Sequence, residues 1–546
     1  MNPVVFSSLM RGFPAPCKKG RVTIGPLFGV SMSLARSIAT VGSFTLLSRI
    51  TGLLREMMIA RYLGAGTVAD AFFVAFRFPN LFRSLFAEGA FNAAFVPLFT
   101  GSMTAGGRDA ALRFAEQAMA VLALTLTLFV VLVELAMPVA MLGLAPGFDE
   151  VPGKMALAVE LSRICFPYLL FISLTSLQAG ILNSLGRFAA AAATPILLNL
   201  TAMAGLWALS PYTPTPGHAL AWGVFGAGVL QFSWLVYSLR RAGIRLRPVR
   251  PRLTPEVRLL ARRVLPGAIG AGVYQVNLVI NTVIASMVAN GAVSYLNYAD
   301  RVNQLPLGVV GIAIGTALLP LLSRQIRAGE TAAALDSQNR AMEVALLLTL
   351  PAAAALMTIA QPVITLLFQR GSFTAADTAA TAPALVAFAS GLPAYVLVKV
   401  LAPAFFARED TATPVKIAAA AMLVNLALNL VLIAPLAHVG LALATALASW
   451  FNVTVLAVVL RRRGFFTMDA RLRRRVPRIV LAAAIMAAAL LASRHLLAPV
   501  AALPLGRLLL VLLLIGVGGV TFAAFAHVLG AARLSEIKAM VRRRAR

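Results

Sequence analysis

Residues 415–460 decide the fold class. They read VKIAAAAMLVNLALNLVLIAPLAHVGLALATALASWFNVTVLAVVL, with Lys416 as the single charged side chain. A bilayer-spanning helix needs roughly 20 mainly apolar residues, so this stretch predicts two of them, at 415–434 and 439–460. The whole chain of 546 residues has the same character, since 60% of it is hydrophobic, 12% is charged and its mean hydropathy is +0.87. Too few charges remain to cover a soluble protein, which excludes soluble hydrolases, zinc enzymes and disulfide-rich secreted folds.

The sequence therefore predicts an all-α polytopic membrane protein with about 14 transmembrane helices. Several of the candidate segments exceed the length of a straight crossing, which indicates tilted or broken helices, and Pro79 and Pro97 are the expected break points in the second one. The candidate segments lie near 39–60, 69–100, 115–145, 157–182, 188–210, 219–240, 264–290, 294–323, 342–369, 379–406, 415–434, 439–460, 478–497 and 505–529.

The positions of Lys and Arg predict the topology. The chain has 48 Lys+Arg against 19 Asp+Glu, a net charge of +29, and the basic residues cluster at 240–263, 461–478 and 542–546, between or after apolar segments. Such clusters mark cytoplasmic loops, so we expect both termini in the cytoplasm and no nucleic-acid partner. The opposite loops carry few cations, which are Arg61, Lys154, Arg370, Arg494 and Arg507.

An internal repeat predicts two halves of like topology. Residues 167–199 align without gaps on residues 393–425, and AFVPLF at 94–99 resembles ALLPLL at 317–322, at nearly the same offset. Two parallel six-helix lobes around a central cavity are typical of several secondary transporters. We expect a cytoplasmic N-terminal tail at 1–31 (with Met32 a candidate for the true start), an N-lobe at 32–240, a basic linker at 241–263, a C-lobe at 264–462, a basic loop at 463–477, and two further helices with a basic tail at 478–546.

Charged residues also interrupt the predicted spans, where no topology rule requires them. An arginine at the centre of a bilayer costs about 2.5–3.5 kcal/mol on insertion scales, so these residues predict a hydrated cavity. The arginines outnumber the nearby acids, and the guanidinium fork suits phosphate oxygens, which indicates a phosphate-bearing substrate. Asp70 and Arg77 share a helix face and are the best candidates for a purely structural ion pair. The charged residues in question are Arg49, Arg55, Glu56, Asp70, Arg77, Arg83, Glu88, Asp300, Arg301 and Lys399.

Six motifs give these residues a more specific meaning. SRITGLLRE at 48–56, ADAFFVAFRFPNLFR at 69–83, FAEGAF at 86–91, YADR at 298–301, LFQRG at 367–371 and VKVLAP at 398–403 resemble the MurJ (MviN) family of lipid II flippases. The resemblance covers residues 32–546. That family belongs to the multidrug/oligosaccharidyl-lipid/polysaccharide exporter superfamily, with fourteen helices, two lobes and a groove near the last two helices for the polyprenyl tail.

The resemblance implies transport of the undecaprenyl-pyrophosphate-linked peptidoglycan precursor across the inner membrane, with no catalysis, cofactor or metal. It places the substrate-binding arginines at Arg49, Arg55, Arg83 and Arg301. Ser84 departs from the second basic residue that the family often has after Arg83. The implied partners are lipid II, membrane lipids and other cell-wall synthesis proteins. A flippase for another polyprenyl-linked glycan and a drug/cation antiporter of the same superfamily are the alternatives.

The driving ion is not identified by the sequence. Asn425 and Asn429 share one helix face, and Asn277 and Asn281 share another, but no carboxylate accompanies them. We expect these asparagines to form structural hydrogen bonds between helices. The membrane potential, at about 2.3 kcal/mol per charge per 100 mV, could act without a dedicated ion site.

Overall fold

The computed structural model describes residues 28–86, 90–503 and 505–531. Apart from short 3₁₀ turns, the regular elements within these residues are all α-helices, in agreement with the predicted class. Their bounds are α1 Phe28–Leu63, α2 Thr67–Phe86, α3 Ala90–Leu135, α4 Met137–Leu144, α5 Lys154–Cys165, α6 Tyr168–Ser184, α7 Phe188–Leu209, α8 Pro216–Arg241, α9 Pro255–Ser286, α10 Ala292–Arg327, α11 Thr331–Thr358, α12 Ala360–Phe368, α13 Ala375–Ser390, α14 Leu392–Phe406, α15 Ala412–Arg462, α16 Ala470–Leu496 and α17 Gly506–Val528.

Two of the long helices contain a sharp break. Gly107 interrupts α3 with φ 72°, and Ala437 interrupts α15 with φ 48°. A positive φ cannot continue a right-handed helix, so each of these elements is two helices in series. The prediction that Pro79 and Pro97 break the second span is wrong, because Pro79 lies inside α2 and Pro97 lies inside the part of α3 that precedes the break at Gly107. In a membrane protein, neighbouring groups can satisfy the carbonyl that a proline leaves unbonded.

The helices that are most apolar are not the helices that carry most of the predicted cavity charges. Within the described residues, nine helical segments are long and apolar enough to cross a membrane. Neither α1 nor α2 nor α10 is among them. These three helices carry eight of the ten charged residues that the sequence placed in a cavity. The protein is therefore a multi-pass membrane protein, while the count of fourteen crossings stays a prediction.

Helix breaks fall at equivalent places in the two predicted repeats. The segment α5–α6 is interrupted next to Pro167, and the segment α13–α14 is interrupted at Gly391, next to Pro393. These prolines are the first residues of the sequence match. Like most prolines near a helix start, each occupies a position where the missing N–H costs nothing.

The apolar core has parts in each half and a part shared between them. Phe91, Phe95 and Phe114 belong to a cluster on α3 and its neighbours, and Val400 and Leu401 belong to a cluster around α14. A third cluster joins α1 and α2 to α10, α12 and α13, with Tyr298 fully buried in it. This shared cluster lies toward the ends of the helices where α1 finishes and α10 starts, which places the contact between the lobes there.

The basic linker is partly helical. Residues 245–254 form no helix, and α9 begins at Pro255 with Thr254 accepting a hydrogen bond from the N–H of Val257. Val257 and Leu260 pack into the cluster around α3. The first turns of α9 thus contact the N-terminal half, although the predicted linker extends to residue 263. The other predicted domain limits remain predictions.

Candidate functional site

A cavity of about 190 Å³ lies where α1, α2, α9 and α10 meet. Arg55 is eight residues before the end of α1, and Arg301 is nine residues after the start of α10. At 1.5 Å per residue, both lie roughly 12–14 Å from those helix ends, about halfway through a hydrocarbon core of about 30 Å. The polar residues of the lining are Arg55, Glu56, Arg77, Asn80, Gln275, Asn297, Asp300, Arg301 and Gln304.

Glu56 holds together two arginines from opposite halves of the chain. Its Oε1 accepts from Nη2 of Arg55 at 2.7 Å and lies 3.4 Å from Nε of Arg301. Arg55 also donates from Nη1 to Oδ1 of Asn199 at 3.0 Å, and Asn199 in turn donates to the Ser48 carbonyl and the Thr51 hydroxyl. One carboxylate therefore faces two guanidinium groups, and positive charge is left over.

Arg77 and Asp300 complete the polar wall. Arg77 donates from Nη1 to the hydroxyl of Thr282 on α9, which is a second contact between the halves. Asp300 accepts a hydrogen bond from Gln304, one turn further along α10. Both residues line the cavity beside Arg301, as the sequence predicted for cavity residues.

Arg49 and Lys399 lie together, further from the helix ends. A Cβ built on Gly308 of α10 would meet Nη1 of Arg49 at 2.0 Å, so the guanidinium occupies the space that this glycine leaves. A Cβ on Gly311 would lie 3.1 Å from Nζ of Lys399. Gly308 is seven residues beyond Arg301, or about 10 Å along the helix. The cations thus form two tiers along α10, with Arg55 and Arg301 in the first and Arg49 and Lys399 in the second.

Arg83 lies in the last turn of α2, one turn beyond Asn80 of the cavity lining. Its Nε donates to Oδ1 of Asn80 at 2.8 Å. Glu88, which the sequence also places in the cavity, lies outside the described residues. The side chain of Ser84 is likewise outside the description.

Asp70 requires a correction, because its carboxylate lies in the contact between the lobes and not in the cavity. It is fully buried and accepts from Nζ of Lys154 at 2.8 Å, and both residues are almost inaccessible, at 0% and 1% exposure. Three further donors come from the start of α10, which are the backbone N–H of Gly291 at 2.7 Å and both the N–H and hydroxyl of Ser294, at 2.8 and 2.5 Å. A carboxylate at a helix N-terminus is favoured by the dipole and by the free N–H groups.

The suggested ion pair between Asp70 and Arg77 is also wrong. A spacing of seven residues puts two side chains on one helix face but about 10 Å apart along the axis, too far for a short carboxylate. Lys154, predicted only as an outer-loop cation, is the true partner.

Three of the four asparagines, Asn281, Asn425 and Asn429, behave as the sequence predicts, as hydrogen-bond partners between helices. Asn429 donates to Asn281 at 2.8 Å and to Asn425 at 3.2 Å, and Asn425 donates to Thr445 at 3.5 Å. These bonds join α9 to both parts of α15.

Sequence reasoning did not identify the amides of the cavity. Asn80, Gln275, Asn297 and Gln304 line it on three different helices. Uncharged polar residues are also typical of ordinary helix packing in membranes. The pair of glycines at 308 and 311 was a usable signal, since small residues at that spacing allow a close neighbour.

The sequence profile of lipid II flippase MurJ matches residues 59–507. A probable lipid II flippase MurJ of Rhizobium meliloti is 47% identical over 519 residues, which cover 94% of this chain and 97% of that protein. The lipid II flippase MurJ of Burkholderia cenocepacia is 40% identical over 442 residues, with 80% and 85% covered. The chain belongs to the MurJ family.

Solved structures agree on the fold. A structure described as lipid II flippase MurJ in an inward closed conformation has a TM-score of 0.75 at 24% identity, with 89% of this chain and 98% of that one covered. An inward-facing multidrug resistance MATE family transporter of the MOP superfamily has a TM-score of 0.65 at 14% identity, with 76% and 94% covered. The recognition of the family and of its fold from the sequence motifs is confirmed.

Proposed function

We propose that this protein is a lipid II flippase, which moves the undecaprenyl-pyrophosphate-linked peptidoglycan precursor from the cytoplasmic to the periplasmic leaflet of the inner membrane. Membership of the MurJ family supports the substrate and the transport role. The protein is a transporter and not an enzyme, so its residues have only to bind, release and reorient the lipid. The residues that do so are proposed below.

The observation that carries the proposed site is the excess of positive charge in the cavity. Three arginines and two carboxylates line it. Arg49 and Lys399 lie one tier further along α10, so even without Arg77, which has further contacts of its own, the described residues supply four positive and two negative charges. Unpaired charge in a low-dielectric interior is costly. A pyrophosphate would neutralise it, and guanidinium groups bind its oxygens in a bidentate way.

Unused hydrogen-bonding atoms support the same role. Among the described residues of the cavity, Nε of Arg55 and Nδ2 of Asn297 are buried donors with no hydrogen-bond partner, and Nε of Arg301 has only the 3.4 Å ion-pair contact with Glu56. Buried polar atoms are rarely left unsatisfied. Two unpartnered donors on α1 and α10, beside the guanidinium of Arg301, suit an anion with several oxygens. The neighbouring amides suit the hydroxyl and amide groups of a sugar–peptide head group.

The size of the cavity favours alternating access. A drug-sized ligand needs about 300–1,000 Å³, more than the 190 Å³ enclosed here, and the disaccharide-pentapeptide is larger still. The two lobes must therefore separate to admit the head group. The Asp70–Lys154 contact with the start of α10 is a closure on one side of the cavity, and its opening would connect the cavity with that side.

The rival functions fit less well. A drug/cation antiporter would need a cavity dominated by carboxylates, which is the reverse of the charge observed. A flippase for another polyprenyl-linked glycan shares the physics of the site, and family membership argues against it.

We propose further that the arginine-rich segments face the cytoplasm together with both termini, following the positive-inside rule. Association with other cell-wall synthesis proteins stays a prediction.

Growth of cells depleted of their own lipid II flippase tests the proposed site. The unchanged chain should restore growth, Arg301→Ala should fail at normal membrane abundance, and Arg301→Lys should restore growth partly, because it keeps the charge but loses the fork. Arg250→Ala, on the exposed linker, is the matched control and should grow normally. Full growth with Arg301→Ala and Arg55→Ala together would contradict the proposed role of these arginines.

A further inference from the structure

The cations predicted on the arginine-poor side of the membrane are not scattered there. Lys154 is paired with Asp70. Arg61, Arg370 and Arg507, which are far apart in sequence, meet where the end of α1 and the end of α12 contact the start of α17. We call these three residues the outer arginine cluster.

The backbone between α12 and α13 brings the cluster together. The N–H of Ser372 donates to the carbonyl of Arg61 at 2.9 Å, and a Cβ on Gly371 would lie 2.9 Å from Cγ of Arg61. Nη1 of Arg507 donates to the carbonyl of Gln369 at 3.0 Å. Arg370 lies between Gln369 and Gly371 in the chain. Gln369 contacts Arg507 and Gly371 contacts Arg61, so the three arginines lie close together.

The cluster carries positive charge without a compensating acid. All three side chains are exposed. Within the described part of the chain, none of the three forms an ion pair with a carboxylate, and the hydrogen bonds of Arg370 and Arg507 go to the carbonyls of Leu366 and Gln369. Arg507 lies in the first turn of α17, where the helix dipole disfavours a cation. Desolvation, followed by repulsion from Arg61 and Arg507, lowers the pKa of Arg370. An anion would relieve this repulsion.

The helix that supplies Arg507 also offers an apolar surface. Leu508, Leu512 and Ile515 recur at helical spacing, and all three are exposed, Ile515 at 57%. Residues four and seven positions apart share one face of a helix. A cationic end above an apolar face matches the two parts of a lipid, which are a charged head group and its hydrocarbon chains.

We propose that the outer arginine cluster binds the phosphate of an anionic membrane lipid in the outer leaflet, with the hydrocarbon chains along the exposed leucines of α17. The leaflet follows from the predicted topology, in which the arginine-poor side is periplasmic. The site goes beyond the proposed function, because it does not depend on what the central cavity carries. The lipid that we propose is a phospholipid of the surrounding membrane, because the exposed apolar face of α17 is open to it; binding of a polyprenyl pyrophosphate, which has the same phosphate chemistry, is a separate outcome of the test.

Binding of defined lipids to the purified full chain in a neutral detergent tests the site. The probes are fluorescent phosphatidylglycerol and phosphatidylcholine. We expect the variant Arg61→Gln/Arg370→Gln/Arg507→Gln to bind phosphatidylglycerol at least about tenfold more weakly than the parent, since each basic residue near a membrane surface contributes appreciably to binding of anionic lipid. Phosphatidylcholine binding should be unchanged. The matched control Arg245→Gln/Arg250→Gln/Arg258→Gln removes the same charge from the arginine-rich side and should bind as the parent does.

Competition separates the two sources of phosphate. We expect unlabelled phosphatidylglycerol to displace the probe at least as well as unlabelled undecaprenyl pyrophosphate does. Much better displacement by undecaprenyl pyrophosphate would overturn the assignment to a phospholipid. Equal phosphatidylglycerol affinity in the triple variant and the parent, or an equal loss in the control, would overturn the proposal. Should the triple variant unfold in detergent, Arg370→Gln alone must still weaken binding. Arg301→Ala should abolish lipid II transport and leave phosphatidylglycerol binding intact, which separates this site from the central one.

Discussion

Replacing Asp70 with Asn should open the contact between the two lobes. In the structure each oxygen of Asp70 accepts two hydrogen bonds, Oδ1 from the N–H and hydroxyl of Ser294, and Oδ2 from Lys154 and Gly291. The asparagine amide can accept on one side only, so two donors lose their acceptor and face an NH₂ group instead. Hydrogen bonds to charged groups contribute about 1.5–3 kcal/mol each, which gives about 3–6 kcal/mol for the two.

That estimate agrees with the cost of breaking a buried ion pair, about 3–5 kcal/mol when one partner is left charged. Lys154 would be that partner, since it is 1% exposed. When the lobes separate, water reaches both positions and most of the cost disappears. The ratio of closed to open molecules should therefore fall by more than about 100-fold.

Distances between spin labels on the arginine-poor side measure this shift. Glu150 and Ala376 are exposed, lie in different lobes, and can carry the labels after replacement by cysteine in a background without Cys17 and Cys165. Asp70→Asn should lengthen the main distance. Adding Lys154→Met should partly restore the closed distance, because the unpaired ammonium is gone.

Glu160→Gln is the matched control, because this carboxylate lies in α5 and is 62% exposed, so its loss should leave the distance unchanged. An unaltered distance in Asp70→Asn would refute the reasoning. So would a double variant that is as open as Asp70→Asn.

Three further predictions concern other parts of the chain. Gly308→Ala should displace the guanidinium of Arg49 without removing its charge, and should slow lipid II transport while the folded protein accumulates normally in the membrane; unchanged transport would remove Arg49 from the site. Glu343→Gln should lower the free energy of unfolding in detergent by about 2 kcal/mol, because this buried carboxylate binds Arg340, Arg471 and Arg475 and so ties α11 to α16; an unchanged melting temperature would contradict that. A cysteine at Arg250 should react with membrane-impermeant reagents only from the cytoplasmic side, and one at Tyr212, which is 85% exposed, only from the periplasmic side; the reverse pattern would contradict the topology.

Much of the fold was predictable because apolar length alone determines whether a helix can cross a bilayer. The break points were predictable only in part. The break at Ala437 falls between the predicted segments 415–434 and 439–460, whereas Pro79, which has the strongest helix-breaking side chain of its region, lies inside α2. Neighbouring helices decide how such a proline is accommodated, and the sequence of one helix does not contain that information.

The candidate site was predictable where charge was the signal. Arg55, Glu56 and Arg301 were singled out because their cost in a membrane demands a reason, and the structure brings them together. The partner of Asp70 was not predictable, because Lys154 is 84 positions away and follows a different helix. Residues that are polar but uncharged, such as Gln275 and Asn297, carry too small an insertion cost to stand out.

The central claim is that arginines from both lobes bind the pyrophosphate of lipid II during transport. The most direct measurement is the rate at which fluorescent lipid II changes leaflet in vesicles that contain the purified protein, followed by quenching of the outer leaflet. We predict rapid transfer with the unchanged chain, and transfer no faster than in protein-free vesicles with Arg55→Ala/Arg301→Ala, although this variant is folded and inserted in equal amount. Transfer at the parent rate in that variant would contradict the claim.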